Sequence, residues 1–267
     1  MTLFQLLIVA VIQGVTEFLP VSSSGHLILL PALTGGPDQG LAIDVAVHVG
    51  TLLAVILYFR ADVRIAVGGI GRLVRGRVDT PGALLALCLI VATIPAVIVG
   101  FAIKVTGLDE AIRSVAVIGW TMLIFGLVLF WADKTGDTKR VAESWTLKHA
   151  IYMGLAQCLA LIPGTSRSGI TITAARQLGY GRESAAKLSM LMSIPVITAS
   201  GALLSLDVLE QANWALARDA GIAAAFAFVA ALGALVLMMR LLRSISFTPY
   251  VIYRVIFGIG LLIWAYT

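Results

Sequence analysis

Long apolar runs, each near twenty residues, recur along this chain and decide what it can fold into. Six of them, roughly 41–59, 82–103, 112–132, 184–206, 220–239 and 248–266, are long enough to cross a hydrocarbon core about 30 Å thick as helices. Only 12% of the residues are charged and 60% are hydrophobic, whereas a soluble domain carries about a quarter charged residues. A helix satisfies its own backbone inside a bilayer, so the expected class is an all-α polytopic membrane protein forming one domain over 1–267. The net charge of +5 informs through its placement rather than its sum, and no nucleic-acid partner is expected. Residues 1–12 contain no Lys or Arg, so a secretory signal with its basic start is not expected either. Cys88 and Cys158 lie in apolar surroundings without CxxC spacing and read as buried small residues.

Placement of the basic residues sets the expected topology. The first is Arg60, and five of the nineteen crowd into 60–77, which marks that stretch as a cytoplasmic loop. Lys134, Lys139, Arg140 and Lys148 put 133–148 on the same side, and Arg240 with Arg243 do so for 240–247. The charge-balanced 104–111 and the 207–219 stretch, with Asp207, Glu210 and Asp219 against Arg218, fall outside. Two further apolar segments, about 3–33 and 149–180, are broken by Pro, Gly and polar clusters. On this count each begins and ends on one side, so both read as re-entrant helical hairpins entering from opposite faces, each followed by three spans.

A shift of 144 residues supports that halving. Gln13 falls on Gln157, Ser22 on Ser166, Ser24 on Ser168 and Gly25 on Gly169. The expectation is an inverted-topology repeat, 1–132 against 149–267, with a site where the two broken loops meet near mid-membrane.

The polar residues in those breaks are costly at membrane depth, about 2.5–3.5 kcal/mol for a charged group, and such groups are functional by default. The first break holds Gln13, Glu17, Ser22, Ser23, Ser24, Gly25 and His26, with Gln13 and Glu17 four apart on one helix face. The second, "PGTSRSGIT", holds Ser166, Arg167, Ser168, Gly169 and Thr171 ahead of a second half-helix. Hydroxyls, a guanidinium and helix-start N–H groups together suit an oxyanion, with phosphate the natural guest. Glu17 would hold a divalent cation bridging phosphate oxygens. Ser23 or His26 would attack phosphorus, or His26 would serve as base for Ser23; the residues leave that choice open. His48, His149 and Arg254 are read as structural or interfacial.

"QGVTEFLPVSSSGH" and "PGTSRSGIT" closely resemble the two signature regions of the undecaprenyl-diphosphatases, bacterial membrane enzymes associated with bacitracin resistance. The likeness extends over essentially the whole chain, including "ISFTPYVIYRVIFG" near its end. It implies removal of the terminal phosphate of undecaprenyl diphosphate at the cytoplasmic (inner) membrane, with six spans, two re-entrant regions and a site open to the periplasm. By position the family's (Glu/Gln)-x-x-x-Glu motif falls on Gln13 and Glu17, its serine nucleophile on Ser23, its essential histidine on His26 and its phosphate-binding arginine on Arg167. The implied substrate-binding set around these is Gln13, Ser22, Ser24, Gly25, Ser166, Ser168, Gly169 and Thr171. Mg2+ or Ca2+ is the expected cation. Gln13 is the neutral variant of its motif, which leaves Glu17 more of the metal-binding role. "SSSGH" and "SRS" also resemble fragments of the type 2 phosphatidic acid phosphatases, whose opening Lys–Arg–Pro signature and later histidine this chain lacks. The rival function is a secondary anion transporter or a flippase for the lipid, since inverted repeats with half-helices aimed at an anion serve transporters too.

Overall fold

A computed structural model describes residues 2–35, 39–108, 112–209 and 214–267. Residues 109–111 and Glu210, placed above in outer loops, lie outside the described residues. Within them the chain is all helix, with Arg140 and Tyr180 forming an isolated β-bridge and no strand. The helices are α1 (Leu3–Thr16), α2 (Ser23–Thr34), α3 (Leu41–Tyr58), α4 (Arg60–Val74), α5 (Pro81–Thr106), α6 (Val115–Thr135), α7 (Leu147–Gln157), α8 (Arg167–Gln177), α9 (Arg182–Leu209), α10 (Trp214–Leu241) and α11 (Thr248–Tyr266).

Among the described residues, α3, α5, α6, α9, α10 and α11 are long and apolar enough to cross a membrane. They correspond one for one to the six expected spans, and the chain is a multi-pass membrane protein. Large apolar side chains such as Leu53, Ile98, Trp131, Val229 and Ile263 are exposed on their outer faces, as lipid-facing helices require. One expectation is corrected: 60–77 is not simply a loop, because Arg60–Val74 form α4.

The two broken segments fold alike. Glu17 to Ser22 separate α1 from α2, while a 3-10 turn (Cys158–Leu161) and the residues up to Ser166 separate α7 from α8. Helix α1 packs on α2 and on α10; α7 packs on α8 and on α5. The long spans close around them, with α3 against α9 and α10, α5 against α9, and α6 against α11. Hydrocarbon offers no hydrophobic drive between helices, so small residues that allow close approach supply the packing. Gly50 of α3 is such a point, since a Cβ there would run into the Ala224 carbonyl of α10.

One end of the bundle is tied by charge. Asp133, at the end of α6, is almost fully buried and accepts from Arg176 Nε at 3.1 Å, Arg182 Nε at 2.8 Å and the Phe247 N–H at 3.2 Å. It thereby joins α6, α8, α9 and the start of α11. Arg176, equally buried, spends its remaining donors on the carbonyls of Asp133, Gly136, Asp137 and Tyr180. Removing one partner of such a pair strands a buried charge, at a cost of about 3–5 kcal/mol. Asp133→Ala should therefore lower the thermal unfolding midpoint in detergent sharply. Asp79→Ala, which breaks only the exposed pair with Arg72, should leave it unchanged; equal midpoints for the two variants would contradict this.

Candidate active site

Two serines carry the local geometry. Ser22 and Ser166 both have φ of 72°, and they are the described non-glycine residues in the left-handed region. Each costs on the order of 1–3 kcal/mol of backbone strain. Each caps the helix that follows: Ser22 Oγ accepts from the Gly25 N–H at 3.4 Å, and Ser166 Oγ from the Gly169 N–H at 3.1 Å. Each also lies beside the serine two residues on, Ser24 at 3.4 Å and Ser168 at 3.1 Å. The strained caps start α2 at Ser23 and α8 at Arg167. Two positive helix N-termini are thus placed at the break points, where an anion is favoured.

Arg254 of α11 locks the two loops together. It is fully buried and pairs with no carboxylate among the described residues. Its Nη1 donates to the Pro20 carbonyl at 3.2 Å and its Nη2 to those of Gly164 and Thr165 at 3.1 and 2.9 Å. In α6, the Met122 carbonyl accepts from Nε at 3.1 Å and the Thr121 carbonyl also accepts from Nη2 at 3.2 Å. Ser168 adds a second tie, donating to the Leu19 carbonyl at 2.9 Å.

The meeting point is Glu17. Its Oε1 accepts from Arg167 Nη2 at 2.9 Å; its Oε2 accepts from Ser23 Oγ at 2.6 Å and from Gln13 Nε2 at 3.0 Å. Arg167 is held from behind by the Ser189 carbonyl of α9 at 3.0 Å. Residues 150 positions apart in sequence therefore share one carboxylate. This constellation lines a cavity of about 370 Å³ whose polar wall is Glu17, Ser22, Ser23, Ser24, Ser166 and Arg167. Its other wall, from α3 and α9, is mainly apolar, with Leu41, Val45, Val196, Ile197 and Leu204 beside Asp44, His48 and Ser200. One end suits a phosphate and the other a hydrocarbon chain.

The remaining expected residues sit behind that wall. Gln13 is fully buried, supports Glu17, and leaves its own Oε1 without a partner. Thr171 is fully buried and spends its hydroxyl on the Arg167 carbonyl and Ser189 Oγ, so it braces α8 and does not line the cavity. Gly25 and Gly169 let the loops pack closely. His26 is not turned to Ser23: its Nδ1 donates to the Ser22 carbonyl at 2.7 Å and its Nε2 meets Tyr253 Oη at 2.5 Å. Its ring stacks on Tyr253 and Phe257 of α11.

Three contributors were not assigned to the site from sequence. Asp44 and His48 of α3 line the cavity, with His48 Nε2 3.9 Å from Glu17 Oε2. An acid and an imidazole four apart in an otherwise apolar span were the available signal. Arg254, expected from sequence to be structural or interfacial, lies buried at the centre of the site's scaffold and not at an interface.

The sequence is similar to known proteins over its whole length. An "Undecaprenyl-diphosphatase" of Roseobacter denitrificans is 73% identical over 267 residues, and one of Dinoroseobacter shibae is 72% identical, each covering the whole of both chains. One of Alcanivorax borkumensis is 48% identical over 98% of both. Residues 6–260 match the family described as "Bacitracin resistance protein BacA". With that match extending over nearly all its length, the chain belongs to the bacitracin resistance protein BacA family.

Proposed function

We propose that this chain hydrolyses undecaprenyl diphosphate to undecaprenyl phosphate and inorganic phosphate. It thereby returns the lipid carrier to peptidoglycan and envelope polymer synthesis and confers resistance to bacitracin. The observation that carries this reading is the single Glu17 carboxylate shared by the Ser23 hydroxyl and the Arg167 guanidinium at the floor of a half-polar, half-apolar cavity. The relatives' shared name supports the substrate.

The mechanism follows from who touches whom. Arg167, with Ser22, Ser24 and Ser166 on the same wall, binds the terminal phosphate, and the apolar wall takes the start of the polyprenyl chain. Ser23 Oγ attacks the terminal phosphorus and passes its proton to Glu17 Oε2, already 2.6 Å away. The bond from that phosphorus to the bridging oxygen breaks, and undecaprenyl phosphate leaves with the electron pair. Water then attacks the phosphoserine, releasing phosphate and returning the proton to Ser23. His26 acts by position: its bond to the Ser22 carbonyl holds the strained turn that aims Ser23.

Arg167 is already paired with Glu17, so a multiply charged diphosphate exceeds the positive charge the pocket offers. A divalent cation, Mg2+ or Ca2+, would supply the difference. No group of three or more His, Cys, Asp or Glu forms a cage among the described residues. Glu17, a hard oxygen donor on the cavity wall, is the residue that would hold an ion arriving with its phosphates, and the unpartnered Gln13 Oε1 lies behind it.

The inverted repeat, 1–132 against 149–267 with two re-entrant hairpins, belongs to the same proposal. It is supported by the paired φ of Ser22 and Ser166 and by exchanged packing: α1 on α10 mirrors α7 on α5, and α3 on α10 mirrors α9 on α5. The arginine-rich ends support a topology with the start of α4 and the end of α10 in the cytoplasm and the cavity open to the periplasmic side of the inner membrane. A transporter or flippase is less well supported, because anion passage needs donors and not a hydroxyl hydrogen-bonded to a base.

Purified full-length protein should release phosphate from undecaprenyl or farnesyl diphosphate. Ser23→Ala should abolish release, and Glu17→Gln and Arg167→Lys should each lose on the order of 10²–10³-fold in kcat while staying folded. Near-normal rates in any of the three would overturn the assignment. Chelation by EDTA should stop release, and manganese EPR should detect ion binding only when a diphosphate is present. Release that persists in EDTA would remove the cation from the mechanism.

A further inference from the structure

Helix α4 has three distinct faces. Ala66 and Gly69 are buried against the start of α5, close enough that a Cβ on Gly69 would collide with the Gly82–Ala83 peptide. Val63, Val67, Ile70 and Val74, spaced i, i+4, i+7 and i+11, form a second row; Val67, Ile70 and Val74 are 60%, 44% and 81% exposed. Arg60, Arg64 and Arg75 share a third row with Gly68 and Gly71, where nothing lies within 4 Å of an added Cβ. The acids nearby are already spent: Asp62 is paired with Lys187 at 2.8 Å, and Asp79 with Arg72 at 2.7 Å. That bond from Arg72 holds the Asp79 carboxyl below its usual range, so it stays ionised and cancels Arg72 alone. Arg60, Arg64, Arg75 and Arg77 have no carboxylate partner among the described residues.

We propose that α4 is an anionic-lipid-binding helix that lies in the membrane interface. The Val67–Ile70–Val74 row enters the boundary between headgroups and acyl chains, and the guanidinium row takes lipid phosphates. A basic polar face, an apolar face and low overall hydrophobicity are the marks of a helix that lies on a bilayer and does not cross it. Arginine suits the role because its planar fork engages two phosphate oxygens. The packing of Gly69 on Gly82 fixes the helix against α5, so both free faces are presented to the leaflet at a set angle. The cavity and its chemistry are not involved.

The test is native mass spectrometry of the full-length protein in detergent, titrated with phosphatidylglycerol or with phosphatidylcholine of the same acyl chains. The unmodified protein should bind phosphatidylglycerol in preference. The triple variant Arg60→Gln, Arg64→Gln, Arg75→Gln should lose about fivefold per arginine, on the order of 100-fold in all, with phosphatidylcholine binding unchanged. Phosphate release from farnesyl diphosphate should be unchanged. On the unmodified protein, raising salt to roughly 1 M, where the screening length is ~3 Å, should remove the preference. Equal binding of the two lipids, a preference that salt does not weaken, or a folded triple variant with full phosphatidylglycerol affinity would each overturn the proposal.

Discussion

A guanidinium without a carboxylate is the piece on which the rest of this structure depends. Arg254 reaches from the last helix into the centre of the bundle and donates to backbone carbonyls of both broken loops and of α6. Loop carbonyls at this depth have no water to bond and would each cost several kcal/mol if left alone. Arginine is the side chain that can satisfy several at once, since its donors fan out in one plane. With the carbonyls bound, Ser22 and Ser166 can hold left-handed conformations, and those turns start α2 and α8 where Ser23 and Arg167 meet Glu17.

The protein separates its buried charges by task. Arg254 is bound wholly by carbonyls, and Arg176 by carbonyls and Asp133, so both are closed networks that hold helices in place. Arg167 is different, since one side is fixed by Ser189 and Glu17 while the residue also lines the cavity. Glu17 likewise carries a hydroxyl on one oxygen and a guanidinium on the other. On the proposed mechanism, an entering phosphate would compete for Arg167 and weaken that grip on Glu17, making the carboxylate a better base for Ser23 at that moment. In that proposal, binding and activation are coupled through one carboxylate.

Much of this was legible in the sequence because membrane depth makes polar residues expensive. Gln13, Glu17, Ser23 and Arg167 stand out in the sequence as costs that need a use, and the other three all meet on Glu17. The six spans were equally plain, since hydrocarbon thickness sets their length. Other features stayed hidden for physical reasons. Helix α4 carries Gly68, Gly69 and Gly71, which argue against a helix locally; the tertiary approach of α5 overrides that propensity. Thr171, Ser168 and Gln13 have the residue types of a phosphate site, but composition cannot say which side of a wall a hydroxyl faces. The position of His26 against Tyr253, 227 residues away, is set by α11 and has no local trace.

The central claim is that Ser23, with Glu17 as its base, forms a bond to phosphorus. Its most direct test is rapid quenching of the full-length enzyme with undecaprenyl diphosphate labelled on the terminal phosphate, followed by peptide mapping of any label retained. The account predicts a transient, acid-stable phosphoserine on the peptide carrying Ser23. An acid-labile label on His26, or turnover with no labelled intermediate in the burst, would contradict it.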